Sequence, residues 1–422
     1  MKRWMAAILL TWTLLLPRAY AGEAELTAAL NRLETMHGFE AEADLKAIIP
    51  AFYKLPGAPD QRTVRRLFDE QRIAQWPSRL ADFLGLVTIL FEGMSPEEQA
   101  RLHDEFIASR GLLSDFQKAI THYVRAIHPG FSGLGLGPLK LTRQGRGIRI
   151  VVFDVFEMEQ LDEQRRSYPK AFIEKPLVFG RPVGLSHGNT VIDVILELAP
   201  EASILPVASD AQSYAAAMQH LAARQDLDII NLSRAFPEDP RTHGVDKVFE
   251  EALRRWTRQG ILVKALGNTG SDLFGQLTRP RVEKGLGPVS SLTAYDLKLI
   301  RELYQEEAAA GLELFALNLG LFAEELALTA TIPGDYLPVQ KRTLAVPAEG
   351  IYSPSTETFE SGSSFAAPQI SAWAALLLEE RRALYPDETG AASRAAVYAA
   401  MLEKADLRQH PAREWGRGHP TL

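Results

Sequence analysis

The sequence predicts an α/β fold with a doubly wound, mainly parallel sheet, preceded by a separate all-helical N-terminal domain. Three observations predict this arrangement. Short β-rich runs alternate with segments of helical length in the second half of the chain. In the first part, apolar residues recur at helical spacing, for example Leu26, Leu30 and Leu33. A glycine-rich stretch over 130–147 separates the two parts and is predicted to be a linker.

The segment 1–21 has the composition of an export signal. Lys2 and Arg3 precede an apolar run over 4–16, and the small-x-small pattern at 19–21 suits cleavage. A transmembrane anchor is the alternative, but spanning a bilayer takes about 20 apolar residues. We therefore expect cleavage, no stable membrane anchor, and export to a bacterial periplasm or to the medium.

The part after the signal divides into two domains. Residues 22–129 are predicted to form a helical domain of unknown role, and residues 148–422 an α/β domain. Near-continuous hydrophobicity indicates strands buried on both faces of a sheet. These strands are predicted over 148–153, 204–207, 229–232 and 261–265. Helices are predicted over 210–224 and 246–259, and an insertion over about 275–311 contains a helix-like run that ends at 310.

Composition and local pattern exclude several classes of function. The chain has no cysteine, so disulfides, thiolate metal sites and a cysteine nucleophile are excluded. A formal net charge of -7 gives no electrostatic reason to expect nucleic-acid binding. Gly133, Gly135 and Gly137 precede a predicted strand instead of following one, which disfavours a dinucleotide-binding site.

A serine-rich segment over 361–368 leads into an apolar helical run over 370–378. It places Ser364 where a loop turns into a helix, so that backbone N–H groups face any negative charge that develops there. Pro368 is predicted in the first helical turn, where proline costs no internal hydrogen bond. The alternative is that Ser363 or Ser364 only caps the helix.

This segment resembles the serine motif of the subtilases, Gly-Thr-Ser-x-Ala-x-Pro. It matches at Gly362, Ser364, Ala366 and Pro368, and it has Ser363 in place of threonine. The resemblance implies that Ser364 is a nucleophile. Since a serine hydroxyl is weakly nucleophilic, it needs a base and a third group that orients the base.

His187 lies in a turn over 186–190 that resembles the His-Gly-Thr motif of the same family, directly before an apolar run over 191–198. Two residues depart from that pattern: Asn189 stands where threonine is usual, and Asp193 lies in a turn that is normally small and apolar. Alone, a histidine before glycine is more often a surface histidine or a hydrogen-bonded core histidine. The other eight of the nine histidines lack a matching neighbourhood.

The orienting carboxylate is expected at the end of a central strand, and Asp154 follows the predicted strand 148–153. This resembles the first subtilase motif, but Val155 and Phe156 replace the usual Asp-x-Gly continuation. The loop after Asp154 must therefore take a different path. The alternative for Asp154 is a helix or turn cap.

The segment 260–270 resembles the strand and turn that carry the oxyanion asparagine of subtilases, at Asn268. Alone, Asn-Thr-Gly reads as an ordinary turn. The four candidates occur in the family's own order, which is Asp154, His187, Asn268 and Ser364.

Ser233, Arg234 and Ala235 stand where the family usually has Ser-Leu-Gly, on the strand that pairs with substrate. The resemblance implies that the methyl group of Ala235 narrows the pocket for the residue before the scissile bond. Arg234 would then place a positive charge beside the groove and favour acidic residues nearby.

The resemblance covers about 145–418 and implies an exported serine endopeptidase that hydrolyses peptide bonds of a protein or peptide substrate through an acyl-enzyme. No organic cofactor is expected. Calcium often stabilises subtilases, but the sequence has no ligand cluster of the EF-hand type, so structural calcium stays possible without an identifiable metal site. The alternative function is a catalytically weak or inactive peptide-binding protein, because the surroundings of Asp154 and His187 depart from the family pattern. The helical domain is expected to cover the active site or to dock another protein.

Overall fold

The computed structural model describes residues 143–420, apart from 183, 236–237, 240–243, 284–291, 305–310, 320–325, 328, 349–350, 354, 357 and 408–409. The predictions of a signal segment, a helical domain and most of the linker lie outside the described residues. Within them, no helix is both long and apolar enough to cross a membrane.

The centre of the described region is an eight-stranded sheet. All the described strands, in chain order, are β1 (Arg149–Asp154), β2 (Phe172–Ile173), β3 (Leu177–Phe179), β4 (Ser203–Ser209), β5 (Ile229–Leu232), β6 (Glu238–Asp239), β7 (Gly244–Val245), β8 (Ile261–Ala265), β9 (Glu313–Leu319), β10 (Thr343–Pro347), β11 (Ile351–Ser353), β12 (Thr358–Glu360), β13 (Ala405–Asp406) and β14 (His419–Pro420). Six of them form separate two-stranded sheets, β6-β7, β11-β12 and β13-β14, and the other eight form the central sheet. The sheet order is β10-β9-β8-β5-β1-β4-β2, and β3 also pairs with β4. Every pairing in this sheet is parallel, which confirms the predicted doubly wound sheet.

The helices connect and cover these strands. They are α1 (Met158–Ser167), α2 (His187–Leu198), α3 (Tyr214–Ala222), α4 (Lys247–Thr257), α5 (Arg279–Glu283), α6 (Leu292–Leu303), α7 (Leu337–Gln340), α8 (Ser363–Leu384), α9 (Gly390–Glu403) and α10 (Ala412–Trp415). The segment predicted as an insertion contains α5 and α6. The second of these ends at Leu303, earlier than the predicted position 310.

Both faces of the sheet are covered, as the continuous hydrophobicity of the strands predicts. Along β1, Ile150 and Val152 join a core with α2 and α8, whereas Val151 and Phe153 join a second core with α3, α4 and α6. The two cores follow from the alternation of side chains along a strand. They hold the sheet between two helical layers.

The order in which the chain adds strands changes side at β1. It passes from β1 to β4 on one side and then returns to β5 on the other side. Loops at the carboxyl ends of the strands diverge at such a point and leave a crevice where ligands bind in doubly wound folds. Asp154 lies at the carboxyl end of β1, beside this crevice, and the neighbouring helix α2 begins at His187.

Candidate active site

Asp154 and His187 form a hydrogen-bonded pair. The Asp154 side chain is fully buried, and His187 Nδ1 lies 2.9 Å from Oδ2 and 3.0 Å from Oδ1. Asp154 Oδ1 also accepts a hydrogen bond of 2.8 Å from the Val155 backbone N–H. Since a carboxylate beside Nδ1 favours the tautomer with its proton on that nitrogen, Nε2 is left as the acceptor.

The loop after Asp154 runs directly against the start of α2. The Gly188 N–H donates to the Val155 carbonyl at 2.9 Å, and the buried Phe156 ring packs over Gly188. A Cβ added at Gly188 would lie 2.4 Å from that ring, so only glycine fits there. The loop therefore takes the different path that the missing Asp-x-Gly pattern requires.

The His187 ring has a pKa above the ordinary value. Burial lowers the pKa, but the charge of Asp154 and its hydrogen bond together outweigh burial and raise it. Glu360 adds to the increase, and the positive charge of Arg234 opposes it. About a third of the side chain is exposed (33%), so the ring remains open to proton exchange.

Ser364 is the second residue of α8, whose N-cap is Gly362 with φ 129°. The capping alternative for Ser363 and Ser364 is therefore wrong, because both residues are helical. The N–H groups of a first helical turn have no intrahelical partner and face outwards. Ser364 thus combines a partly exposed hydroxyl with an N–H that is available to a ligand.

The prediction that Pro368 lies in the first helical turn is wrong, because α8 begins at Ser363 and Pro368 lies inside it. Proline has no N–H to bond the carbonyl four residues earlier, which is that of Ser364. The Ser233 hydroxyl donates to this carbonyl at 2.8 Å. Pro368 therefore frees a backbone acceptor that ties the start of the helix to the end of β5.

The Ser364 hydroxyl itself donates to the Ser233 carbonyl at 3.0 Å. Among the described contacts, no hydrogen bond joins Ser364 to His187, although the ring of the adjacent Phe365 lies 5.4 Å from the His187 ring. The serine and the histidine therefore share one site, but their hydroxyl–imidazole bond is not made in this conformation. Such bonds are often loose without substrate.

Asn268 is oriented by the residue before Ser364. Its Oδ1 accepts from the Ser363 N–H at 2.8 Å and from the Ser363 hydroxyl at 3.1 Å. Because a backbone N–H can only donate, Oδ1 must face Ser363. The Nδ2 amide then lies beside Gly362, and in the described part of the chain it has no acceptor. It is a free donor beside Gly362, the N-cap of α8.

Ser363 is a site residue that the sequence interpretation missed. Its hydroxyl also accepts from the Gly267 N–H at 3.0 Å, so it braces the turn that carries Asn268. The signal was present, because serine in place of threonine keeps the hydroxyl at this position. Serine at position 363 was interpreted only as a departure from the threonine of the motif, and its hydrogen-bonding role was not predicted.

The three residues predicted to bind substrate lie beside Ser364, at the end of β5. The Ser233 hydroxyl donates a hydrogen bond to the Ser364 carbonyl. Arg234 extends towards the end of β4, where it donates to the Ser209 carbonyl at 3.2 Å. The Arg234 guanidinium also lies 5.4 Å from the centre of the Tyr214 ring. Ala235 is exposed, and its carbonyl accepts from the Tyr214 hydroxyl at 3.2 Å. The segment is thus exposed at Ala235 and fixed to α3 through the Tyr214 hydroxyl.

In the described residues, no group of three or more His, Asp or Glu side chains is arranged to hold a metal ion. That no organic cofactor is required stays a prediction, and so does the possibility of structural calcium. The groups that the site presents are a hydroxyl, an imidazole, a carboxylate and an amide.

Comparisons with known proteins add the family. The model of the subtilase family matches residues 183–418, more than half of the chain. No curated protein sequence matches. Solved structures with similar folds include three proteases. The prenylagaramide maturation protease PagA is 19% identical with a TM-score of 0.47, covering 68% of this chain and 96% of its own.

The second is a lanthipeptide protease, 16% identical with a TM-score of 0.45, covering 68% of this chain and 90% of its own. The third is a protease of Pseudoalteromonas arctica, 13% identical with a TM-score of 0.43, and the match covers 68% of this chain and 91% of that protease. The family model carries the assignment, and the observed parallel sheet agrees with it. The chain belongs to the subtilase family.

Proposed function

We propose that this protein is a serine endopeptidase that cleaves peptide bonds through an acyl-enzyme. The observation that carries the proposal is the convergence of the Asp154–His187 pair, the Ser364 hydroxyl and the free Asn268 amide at one edge of the sheet. The proposal includes export, which rests on the predicted signal segment.

In the proposed mechanism, Ser364 Oγ attacks the peptide carbonyl while His187 Nε2 takes its proton. Asp154 holds the ring in the tautomer that leaves Nε2 free and stabilises the imidazolium that forms. Asn268 Nδ2 and the Ser364 N–H donate to the oxyanion. His187 then gives the proton to the leaving amine, and water releases the acyl group by the same steps.

Substrate binding supplies a way to bring Ser364 onto His187. A peptide that adds as a strand along 233–235 offers a backbone N–H to the Ser233 carbonyl. That N–H would replace the Ser364 hydroxyl, which now occupies the same acceptor at 3.0 Å. The released hydroxyl could then turn to His187. Pairing with substrate would thus activate the nucleophile.

Reaction with a fluorophosphonate probe tests the proposal. The wild-type protein is expected to be labelled at Ser364, because the probe needs an activated serine and an oxyanion site together. The Ser393→Ala variant, which loses a remote hydroxyl bonded to Glu388, should label at the wild-type rate. Peptide mapping by mass spectrometry locates the label.

The alternative, a peptide-binding protein without activity, rests on the altered loop after Asp154. It predicts an unlabelled wild-type protein that still binds peptides. Labelling at Ser364 would exclude it, whereas a folded and unlabelled wild type would reject the peptidase.

Cleavage specificity is expected to change when Ala235 is replaced by glycine. If the exposed methyl group narrows the pocket for the residue before the scissile bond, wild type should prefer alanine to phenylalanine there. One methyl in a pocket is worth about 1–3 kcal/mol, so Ala235→Gly should shift the preference by roughly 10–200-fold towards phenylalanine. The measurement is kcat/KM for paired peptides.

The matched control is Ala395→Gly, at an exposed alanine of α9. It should leave the preference unchanged. A wild type that already prefers phenylalanine, together with an unchanged Ala235→Gly variant, would show that Ala235 does not line this pocket.

A further inference from the structure

The two departures from the histidine motif, Asn189 and Asp193, are both fully buried on α2. Asn189 Oδ1 accepts from the Glu157 N–H at 3.0 Å, and its Nδ2 lies 3.3 Å from the Glu157 carbonyl. The Asn189 amide therefore bonds both backbone polar groups of one residue, Glu157, in the loop after Asp154. Threonine has a shorter side chain, with one hydroxyl oxygen in place of the separate amide oxygen and nitrogen, so it cannot reach both groups in the same way.

Gln164 of α1 connects the two departures. It is fully buried, and its Nε2 donates to the Asn189 carbonyl and to Asp193 Oδ1, both at 2.7 Å. Its Oε1 accepts from Asn189 Nδ2 at 3.1 Å. All polar atoms of the Gln164 side chain are thus used within this cluster. A buried amide that is satisfied in this way fixes the groups that it bonds.

Asp193 extends the cluster to the segment that precedes the serine motif. Its Oδ2 accepts from the Ser353 hydroxyl at 2.6 Å, the Ser355 N–H at 2.9 Å and the Ser355 hydroxyl at 2.7 Å. Ser353 ends β11, which pairs with β12, and β12 ends just before Gly362. A buried carboxyl is costly unless hydrogen-bonded, and here four donors meet it.

The cluster thus joins three segments that carry the chemistry: the loop after Asp154, the helix that begins at His187, and the hairpin that leads to Ser364. None of its side chains contacts the reacting groups. Without it, the loop after Asp154 would be held to α2 mainly by the Gly188 N–H bond to Val155 and by the Phe156 ring.

We propose that Asn189, Gln164 and Asp193 form a positioning network that fixes the Asp154 carboxylate against the His187 ring. It takes over from the Asp-x-Gly continuation that this chain lacks. The inference rests on the proposed function, since it assigns these residues a part in that reaction.

Two variants test the network. Asn189→Thr inserts the residue that is usual in the family, and Gln164→Met removes the central amide at similar volume. Both are expected to lower the rate of fluorophosphonate labelling by about 10–100-fold, because misplacing a catalytic pair by about 1 Å costs up to on the order of 100-fold. The control is Thr343→Val, which removes a remote buried bond to the Val339 carbonyl.

The second readout does not depend on activity. The proton between His187 and Asp154 gives a low-field imidazole N–H signal by NMR, which His187→Ala identifies by its loss. The signal should persist in Ser364→Ala and Thr343→Val but broaden or vanish in Asn189→Thr and Gln164→Met.

A wild-type rate and an unchanged signal in both network variants would overturn the inference. The inference would also be overturned if the labelling rate fell only in proportion to the melting temperature, and if it fell in Thr343→Val as well. If the wild-type protein is not labelled, the proposed peptidase function is wrong. The low-field signal then tests the positioning network independently of activity.

Discussion

Replacing Ser364 by alanine is expected to lower casein hydrolysis by on the order of 10⁶-fold, the magnitude known for the equivalent serine of subtilisin, a member of this family. Folding should be unaffected, because the partly exposed hydroxyl makes one hydrogen bond, to the Ser233 carbonyl. Rates of casein cleavage and thermal unfolding curves measure the two effects separately. His187→Ala should behave like Ser364→Ala.

The double variant distinguishes a catalytic pair from two independent defects. Because serine and histidine act as one unit, losing both should be barely worse than losing either. Additive losses would contradict the assignment. Ser393→Ala again serves as the control, since its hydroxyl is buried on α9 and bonds Glu388.

The second large effect is expected for Asp154→Asn, at about 10⁴-fold in kcat. The Val155 N–H bonds Oδ1 and therefore fixes the carbonyl of the new amide at that position. Its NH₂ group would then face His187 Nδ1 from the position of Oδ2. That donor stabilises the tautomer with its proton on Nε2, which cannot accept the proton of Ser364.

The same substitution should change the pH profile. In wild type, activity is expected to fall as pH drops through the His187 pKa, which lies above the ordinary value of about 6.5, because only the neutral ring is a base. Removing the Asp154 charge lowers that pKa, so the residual activity of Asp154→Asn should extend to lower pH. An acidic limb that stays unchanged would show that His187 does not control it.

The local parts of the site were predictable from short motifs. Strands β5 and β8 begin and end where continuous apolar runs predict, because a strand buried on both faces must be apolar throughout. Strand β9 and the short β2 and β3 were not predicted. Strand β9 is buried throughout, whereas β2 and β3 are short and partly exposed and depend on pairing with β4, which is distant in sequence.

By itself, the sequence determined the family, the fold class and the four candidate residues in their order. These features depend on local periodicity and on motifs in which each residue serves a nearby turn or helix start. The tertiary structure decided how the departures fit together. Gln164 lies on α1, whereas Asn189 and Asp193 lie on α2, and the three meet only because α1 and α2 pack together beside β11. Likewise, Pro368 acquires its role from Ser233 on another strand, a contact that no local pattern contains.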